Sequence, residues 1–183
     1  MSTLKVSAIS PLGTDATKTI TIGSAGDTVA GAGANTPSFF VSKTSDQSIS
    51  GDATQTKVTF DTEVFDTDSA FSDNKFTVPT DQGGKYFFSS TLRVEASGGS
   101  MDYAQVIFYK NGTRFYMPTQ IQTSSNNMGN SHLNASVIFD LSASDYVEVY
   151  GAISGSSTAI GGASSGGDEN NQSFFMGYKL IGA

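Results

Sequence analysis

The sequence predicts an all-β fold, an antiparallel sandwich of about ten strands, and three observations predict it. Residues 73–94 (DNKFTVPTDQGGKYFFSSTLRV) pass from a short strand at Lys75, Phe76, Thr77 and Val78 through Pro79 and the turn Asp81, Gln82, Gly83, Gly84 into a long strand. In that strand Tyr86, Phe88, Leu92 and Val94 are apolar, while the alternate positions drift from Phe87 to Ser89, Thr91, Arg93 and Glu95. A period of two sets one face on a core. Short apolar runs recur at 39–41, 106–109 and 174–176, and Asn111-Gly112 supplies a tight-turn signal between strands.

Taken in order, residues 1–36 differ in texture from the rest. Short alternations at Leu4/Val6 and Ile20/Ile22 are separated by Pro11-Leu12-Gly13 and by glycines at 23, 26, 31 and 33. So little apolar surface cannot form a core alone, and the segment reads as a β stalk or anchor. It precedes a knob domain at 37–183. There Phe39, Phe40 and Val41 open a strand apolar on both faces, as do Val106–Tyr109 and Phe174–Met176. Such strands need something dry on each side.

Successive antiparallel strands reverse direction, so alternate connections emerge at the same end of a sandwich. The connections at Asn111-Gly112 and 142–144 are short. Those at 95–102 (EASGGSMD), 117–131 (MPTQIQTSSNNMGNS) and 151–172 (GAISGSSTAIGGASSGGDENNQ) are long and rich in Ser, Gly, Asn, Gln and Thr, a composition suited to adaptable contacts. The expected contact residues at this apex are Met101, Tyr103, Gln120, Gln122, Asn126, Asn127, Met128, Asp168, Glu169 and Asn170.

Composition narrows the function. The 183 residues include no cysteine, so neither disulfides nor thiolate metal sites are available, a mild argument for a bacterial or viral source. Seventeen acidic residues against ten basic give a formal charge of -7, which disfavours nucleic acid and anionic lipid. No apolar run is long enough for a membrane-spanning helix, and residues 1–12 lack the pattern of a signal peptide. The chain is therefore expected to reach the outside by cell lysis or as part of a particle.

No catalytic constellation stands out, and the chain is read as a non-enzyme. His132 is the one histidine, and nothing in the sequence sets a serine beside it; a surface or edge-strand role is expected. Asp66-x-Asp68 with Asp73 lacks the glycine and distal glutamate of a calcium loop, so a capped turn is the better reading. Asp168 and Glu169 offer oxygen ligands that could gather a calcium ion if three chains bring them near one axis; no other metal or cofactor is expected.

The segments KFTVP…GGKYFFS, TKVTFDTEVFD, AQVIFYKNGT, ASVIFDLSASDYVEVY and QSFFMGYKLIG, in this order over about residues 37–183, resemble the globular head of complement component 1q. That head is a jelly roll shared with tumour necrosis factor. The family's Gly-Asp before its seventh strand is Ser144-Asp145 here, and no collagen repeat is present, so immune roles do not carry over. The resemblance implies a homotrimer in which the first and last strands share an inner sheet, with Phe39, Phe40, Phe174 and Phe175 at the trimer interface. The opening Met-Ser-Thr-Leu-Lys-Val is similar to the start of small fibre proteins of marine tailed phages. Together these imply a phage virion fibre or knob, joined to other virion proteins through residues 1–36 and binding a host-surface glycan or protein through the apex loops. The alternative is a structural head fibre or decoration protein with no receptor role.

Overall fold

The computed structural model describes residues 35–124, 128–162 and 173–181; the expected stalk or anchor at 1–36 falls almost wholly outside them. In chain order the strands are β1 (Ser38–Ser42), β2 (Gln47–Ser48), β3 (Thr56–Lys57), β4 (Thr62–Asp66), β5 (Phe71–Ser72), β6 (Lys75–Thr77), β7 (Gly84–Glu95), β8 (Tyr103–Lys110), β9 (Thr113–Gln122), β10 (Asn130–Leu141), β11 (Tyr146–Ser154), β12 (Ala159–Gly161) and β13 (Phe174–Lys179). Several are two- or three-residue pieces, which is why this exceeds the ten expected. They form two antiparallel sheets. Sheet A places β10 along one edge of β7 and β12 and β13 along the other, continuing through β13–β1–β4; sheet B runs β5–β6–β11–β8–β9, with β3 also on β11.

The alternation read in β7 is observed. Tyr86, Phe88, Leu92 and Val94 are buried, and Ser90, the break in the apolar series, donates its hydroxyl to the Phe174 carbonyl at 2.8 Å. The long partner β10 sends Leu133, Ala135, Phe139 and Leu141 inward. Sheet B faces them with Ala104, Val106 and Phe108 of β8 and Val147, Val149 and Ile153 of β11. The two-residue shift of side chains from face to face does the sorting.

At the centre, the first and last strands meet. β1 pairs with β13 (Phe40↔Met176, Val41↔Phe175) and β13 with β7 (Phe175↔Ser90, Gly177↔Phe88). The ring of Phe39 lies 4.9 Å from Phe175 edge-on, and 5.1 Å and 5.2 Å from Phe76 and Phe71 in stacked contact. Phe175 reaches Phe88 at 5.8 Å and Phe108 at 6.2 Å. Pairs of this geometry contribute about 0.5–1.5 kcal/mol each beyond area burial. Two of the four aromatics expected at a subunit interface are thereby corrected: Phe39 and Phe175 are core residues, because adjacent residues on a strand take opposite faces, and only Phe40 and Phe174 point out of the sandwich.

The second apolar face of β8 has its own cover. Ile107 is fully buried opposite Tyr150, whose ring stacks on Tyr109 at 3.8 Å. The chain before β4 lies over this face: Gln55 accepts the Tyr109 hydroxyl, and Lys57 pairs with the buried Glu148 at 2.7 Å.

The short turns form one end, hereafter the base. Asn111 and Gly112 both take positive φ (51° and 74°), the requirement of the tight hairpin that Asn-Gly supplies. Asn111 donates its amide to Asp145 Oδ1 at 2.8 Å and accepts from the Tyr146 amide at 2.9 Å. Asp145 also accepts the Ser142 amide at 2.9 Å and pairs with Lys110 at 3.0 Å, so one carboxylate fastens both turns. Those bonds hold its pKa down at about 2. The expected capped turn near Asp66 is also present: its carboxylate accepts the amides of Ala70 and Phe71 at 3.0 and 2.8 Å.

Two outcomes follow from this packing. At Gly177 an added Cβ would stand 2.5 Å from Phe88 Cδ1 and 3.0 Å from Phe39 Cε1, whereas at Gly83 the nearest atom is 3.4 Å away. Gly177→Ala should cost about 1–3 kcal/mol through overpacking and Gly83→Ala almost nothing, read as shifts in the urea midpoint. A depressed carboxylate pKa contributes stability that is complete above its unfolded value of 3.8 and is lost as pH falls toward about 2. Asp145→Asn should therefore cost on the order of 1 kcal/mol at pH 7, the worth of a few charge-assisted bonds at a screened surface. The gap from the unaltered protein in thermal melting should narrow steadily between pH 4 and pH 2.

Candidate functional site

The end opposite the base is assembled from three connections, as expected, though their bounds differ. β9 extends through Met117–Gln122 and β11 through Gly151–Ser154, so much of the sequence read as loop is strand. Polar edge strands give no apolar alternation to reveal them, and β9 has most of its residues exposed. Among the described residues, what remains at this end is 96–102, 123–124, 128–129 and 155–158.

These pieces are laced together by main-chain bonds. The Ala96 amide donates to the Gly129 carbonyl at 2.8 Å and the Met101 amide to the Met128 carbonyl at 3.0 Å. Ser97 donates to the Ser156 carbonyl at 2.9 Å, and the Ser156 amide to Ser100 Oγ at 2.8 Å. Asp102 and Ser154 are joined likewise at 3.2 Å. A 3-10 turn at Ser97–Gly99, with Gly98 and Gly99 at φ 63° and 69°, carries the chain across the top. Between these walls lies an open cleft of about 400 Å³.

The expected contact residues separate into groups. Met101 is fully buried and packs in the core, which corrects its reading as a contact: a long apolar side chain at the mouth of a sandwich fills it. Met128, bridged to Met101, is partly buried against the same core. Tyr103, Gln120 and Gln122 are brought together on the outer face of sheet B, with Tyr103 opposite Gln122 and Gln105 opposite Gln120. Gln105 donates to Gln120 Oε1 at 3.0 Å, and Gln120 to Gln122 Oε1 at 3.4 Å. Burial raises the Tyr103 phenol pKa, which the Arg114 charge offsets in part, so it is a neutral donor at physiological pH. Asn126, Asn127, Asp168, Glu169 and Asn170 lie outside the described residues, and with them the expected calcium ligands. Among the described residues no group of three or more histidines or carboxylates converges as a metal site, and no helix is long and apolar enough to cross a membrane.

Sequence reasoning missed Glu95, Ser97, Asn130 and Ser157, which line the cleft. Glu95 and Asn130 stand directly opposite each other at the ends of β7 and β10, a pairing that only register reveals. Arg93, on the same face of β7, holds Glu95 at 2.6 Å. His132 is exposed on the edge strand β10, opposite Arg93, in the surface position expected of it.

The outward face of sheet A changes character along its length. Toward the base it is apolar, with Tyr178 packed on Phe87 at 5.3 Å and Ile138 opposite Phe87; at mid-height on the β13–β1–β4 side Phe40 stacks on Phe174 at 5.4 Å and on Phe65 at 6.4 Å, Phe174 being level with Thr91. Phe65 is 47% exposed and Ile138 57%. At the edge beside Ile138, Phe115 is 62% exposed although its ring also meets Phe139 edge-on at 5.1 Å. Toward the loop end the same face carries Thr91 and Asn134, then Arg93 and His132, then Glu95 and Asn130.

The sequence matches no family model and no curated protein. Its fold does match solved structures. Eiger TNF from S. frugiperda superposes with a TM-score of 0.55 at 14% identity, covering 80% of this chain and 93% of that one. The globular domain of zebrafish complement 1qA protein gives 0.49 at 13% identity, over 79% and 97% of the two chains. Murine APRIL gives 0.48 at 16% identity, over 78% and 98%. Identities this low speak to architecture alone, and the chain has the antiparallel jelly-roll fold seen in Eiger TNF.

Proposed function

We propose that this protein is the attachment knob of a tailed-phage virion, a homotrimer that binds a host-surface glycan or protein at its loop end. Residues 1–36 join it to other virion proteins, and no catalysis is assigned. The observation that carries the reading is the polarity of the knob. The chain enters at the base, where the Lys179 amide donates to the Pro37 carbonyl at 3.1 Å, and the last strand ends there, with the Leu180 amide on Lys85 O at 2.8 Å. All three elaborated connections stand at the far end. A domain held by its base presents that far end to whatever it meets.

The trimer rests on the outward face of sheet A. The aromatic band of Phe40, Phe65 and Phe174 lies toward the β4 edge, while Phe115, Tyr116 and Ile138 lie at the β9/β10 edge. Two different apolar surfaces on one molecule suit a head-to-tail contact, which closes into a ring when the rotation allows. The sequence resemblance to the complement component 1q head favours a ring of three. Large apolar side chains exposed together, Phe65 at one edge and Phe115, Tyr116 and Ile138 at the other, suit an interaction surface.

Sedimentation at micromolar concentration should give three chains, and Phe174→Ser or Ile138→Asp should shift the protein to smaller species with its circular dichroism unchanged. The phenylalanine change removes burial worth about 2 kcal/mol per subunit; a monomer for the unaltered protein would overturn the trimer. For recognition, the full-length protein should adsorb to host cells, and replacing 97–100 together with 155–158 by short turns should abolish adsorption while the trimer persists. If the unaltered protein adsorbs to no host surface, the structural head-fibre or decoration reading takes its place.

A further inference from the structure

We propose that the cleft at the loop end is a binding site for one neutral, hydroxyl-bearing sugar residue, an inference that deepens the receptor-binding reading and rests on it. Its volume of about 400 Å³ lies at the small end of the roughly 300–1,000 Å³ typical of ligand pockets, room for a single ring and its substituents.

The lining supplies the chemistry. Glu95 and Asn130 project from directly opposed positions on β7 and β10, so their Cβ atoms are about 4.5–5.5 Å apart. A carboxylate accepts hydrogen bonds and an amide both donates and accepts, which together match two neighbouring hydroxyl groups. Ser97 and Ser157 also line the cleft and carry hydroxyls that can donate and accept. Gly98, also in the lining, leaves open space, since an added Cβ there would meet nothing within 4 Å.

The site is also built in advance. Glu95 is held by Arg93 at 2.6 Å, and the walls are fixed by the bonds from Ala96 to Gly129 and from Ser97 to Ser156. A ligand entering a fixed cleft loses less to ordering the protein. Among the described residues no lysine, arginine or histidine lines the cleft, and the chain as a whole carries a charge of -7. An acidic sugar would face the Glu95 carboxylate with no cation among the described lining residues to meet it. Neutral hexoses and N-acetylhexosamines meet no such opposition. Among the described residues no aromatic ring lines the cleft either, so a single site relying on hydrogen bonds should bind weakly, with a dissociation constant on the order of 1 mM, and gain through repetition on one particle.

The test is saturation-transfer NMR on the full-length protein with methyl glycosides of galactose, glucose, mannose, N-acetylglucosamine and N-acetylgalactosamine, and of sialic acid. At least one neutral glycoside should bind and the sialoside should not. Ser97→Trp, which fills the cleft from an exposed position, and Asn130→Ala, which removes the amide, should each weaken that binding at least tenfold at an unchanged melting temperature. Silence across the neutral panel, preference for the sialoside, or binding indifferent to both variants overturns the proposal. Host-cell adsorption of the same proteins separates the two levels: adsorption that survives both variants overturns the sugar cleft and leaves receptor binding standing, whereas no adsorption by the unaltered protein overturns both.

Discussion

The structure depends on one contact, the edge-on packing of Phe39 against Phe175. These residues belong to β1 and β13, the first and last strands of the described knob, and they meet only because the two strands pair between β4 and β7. Gly177 makes the closure feasible by leaving space for the rings of Phe88 and Phe39 where any side chain would intrude. Phe108 then links the pair to sheet B. A jelly roll gathers nearly all its contacts from residues far apart in sequence, so its core is complete only when the chain is. The base and the loop end are consequences: each is the set of connections left over at one end of the closed sandwich.

That dependence explains what the sequence disclosed. β7 was legible because Tyr86, Phe88, Leu92 and Val94 alternate with polar residues, and a half-buried strand must do so. The Asn111-Gly112 turn was legible because few residue pairs accept its backbone angles. Phe39-Phe40 and Phe174-Phe175 were not, since two adjacent aromatics leave the inward face undefined until pairing partners fix it. Val41 and Gly177 on the neighbouring positions decide the matter, and nothing local announces that they should. β9 was hidden for the opposite reason: with its residues mostly exposed, its ladder to β8 is set by β8, not by its own pattern.

At the loop end the same logic separates Met101 from Glu95. Composition favours Met101 as a contact, because methionine serves at adaptable surfaces, yet the mouth of the sandwich needs filling and Met101 fills it. Glu95 looks like the last polar residue of a strand. Its place in the cleft emerges from register alone, which sets it against Asn130, and from Arg93 two residues earlier on the same face.

The two halves of the outward face of sheet A therefore carry different physics on one continuous surface. Near the base Tyr178, Phe87 and Ile138, and at mid-height Phe40 and Phe174, supply area whose removal from water is favourable and non-directional, which suits contact between copies. Near the loop end, Arg93, Glu95, His132 and Asn130 supply directional groups that are costly to bury without partners. A subunit contact made by the apolar rows has reason to stop where the polar rows begin, because extending it would strand Glu95 and Asn130 without water. On the proposed reading, the gradient from Phe87 to Glu95 along a single strand would separate assembly from recognition, leaving the cleft in water while the apolar rows are covered.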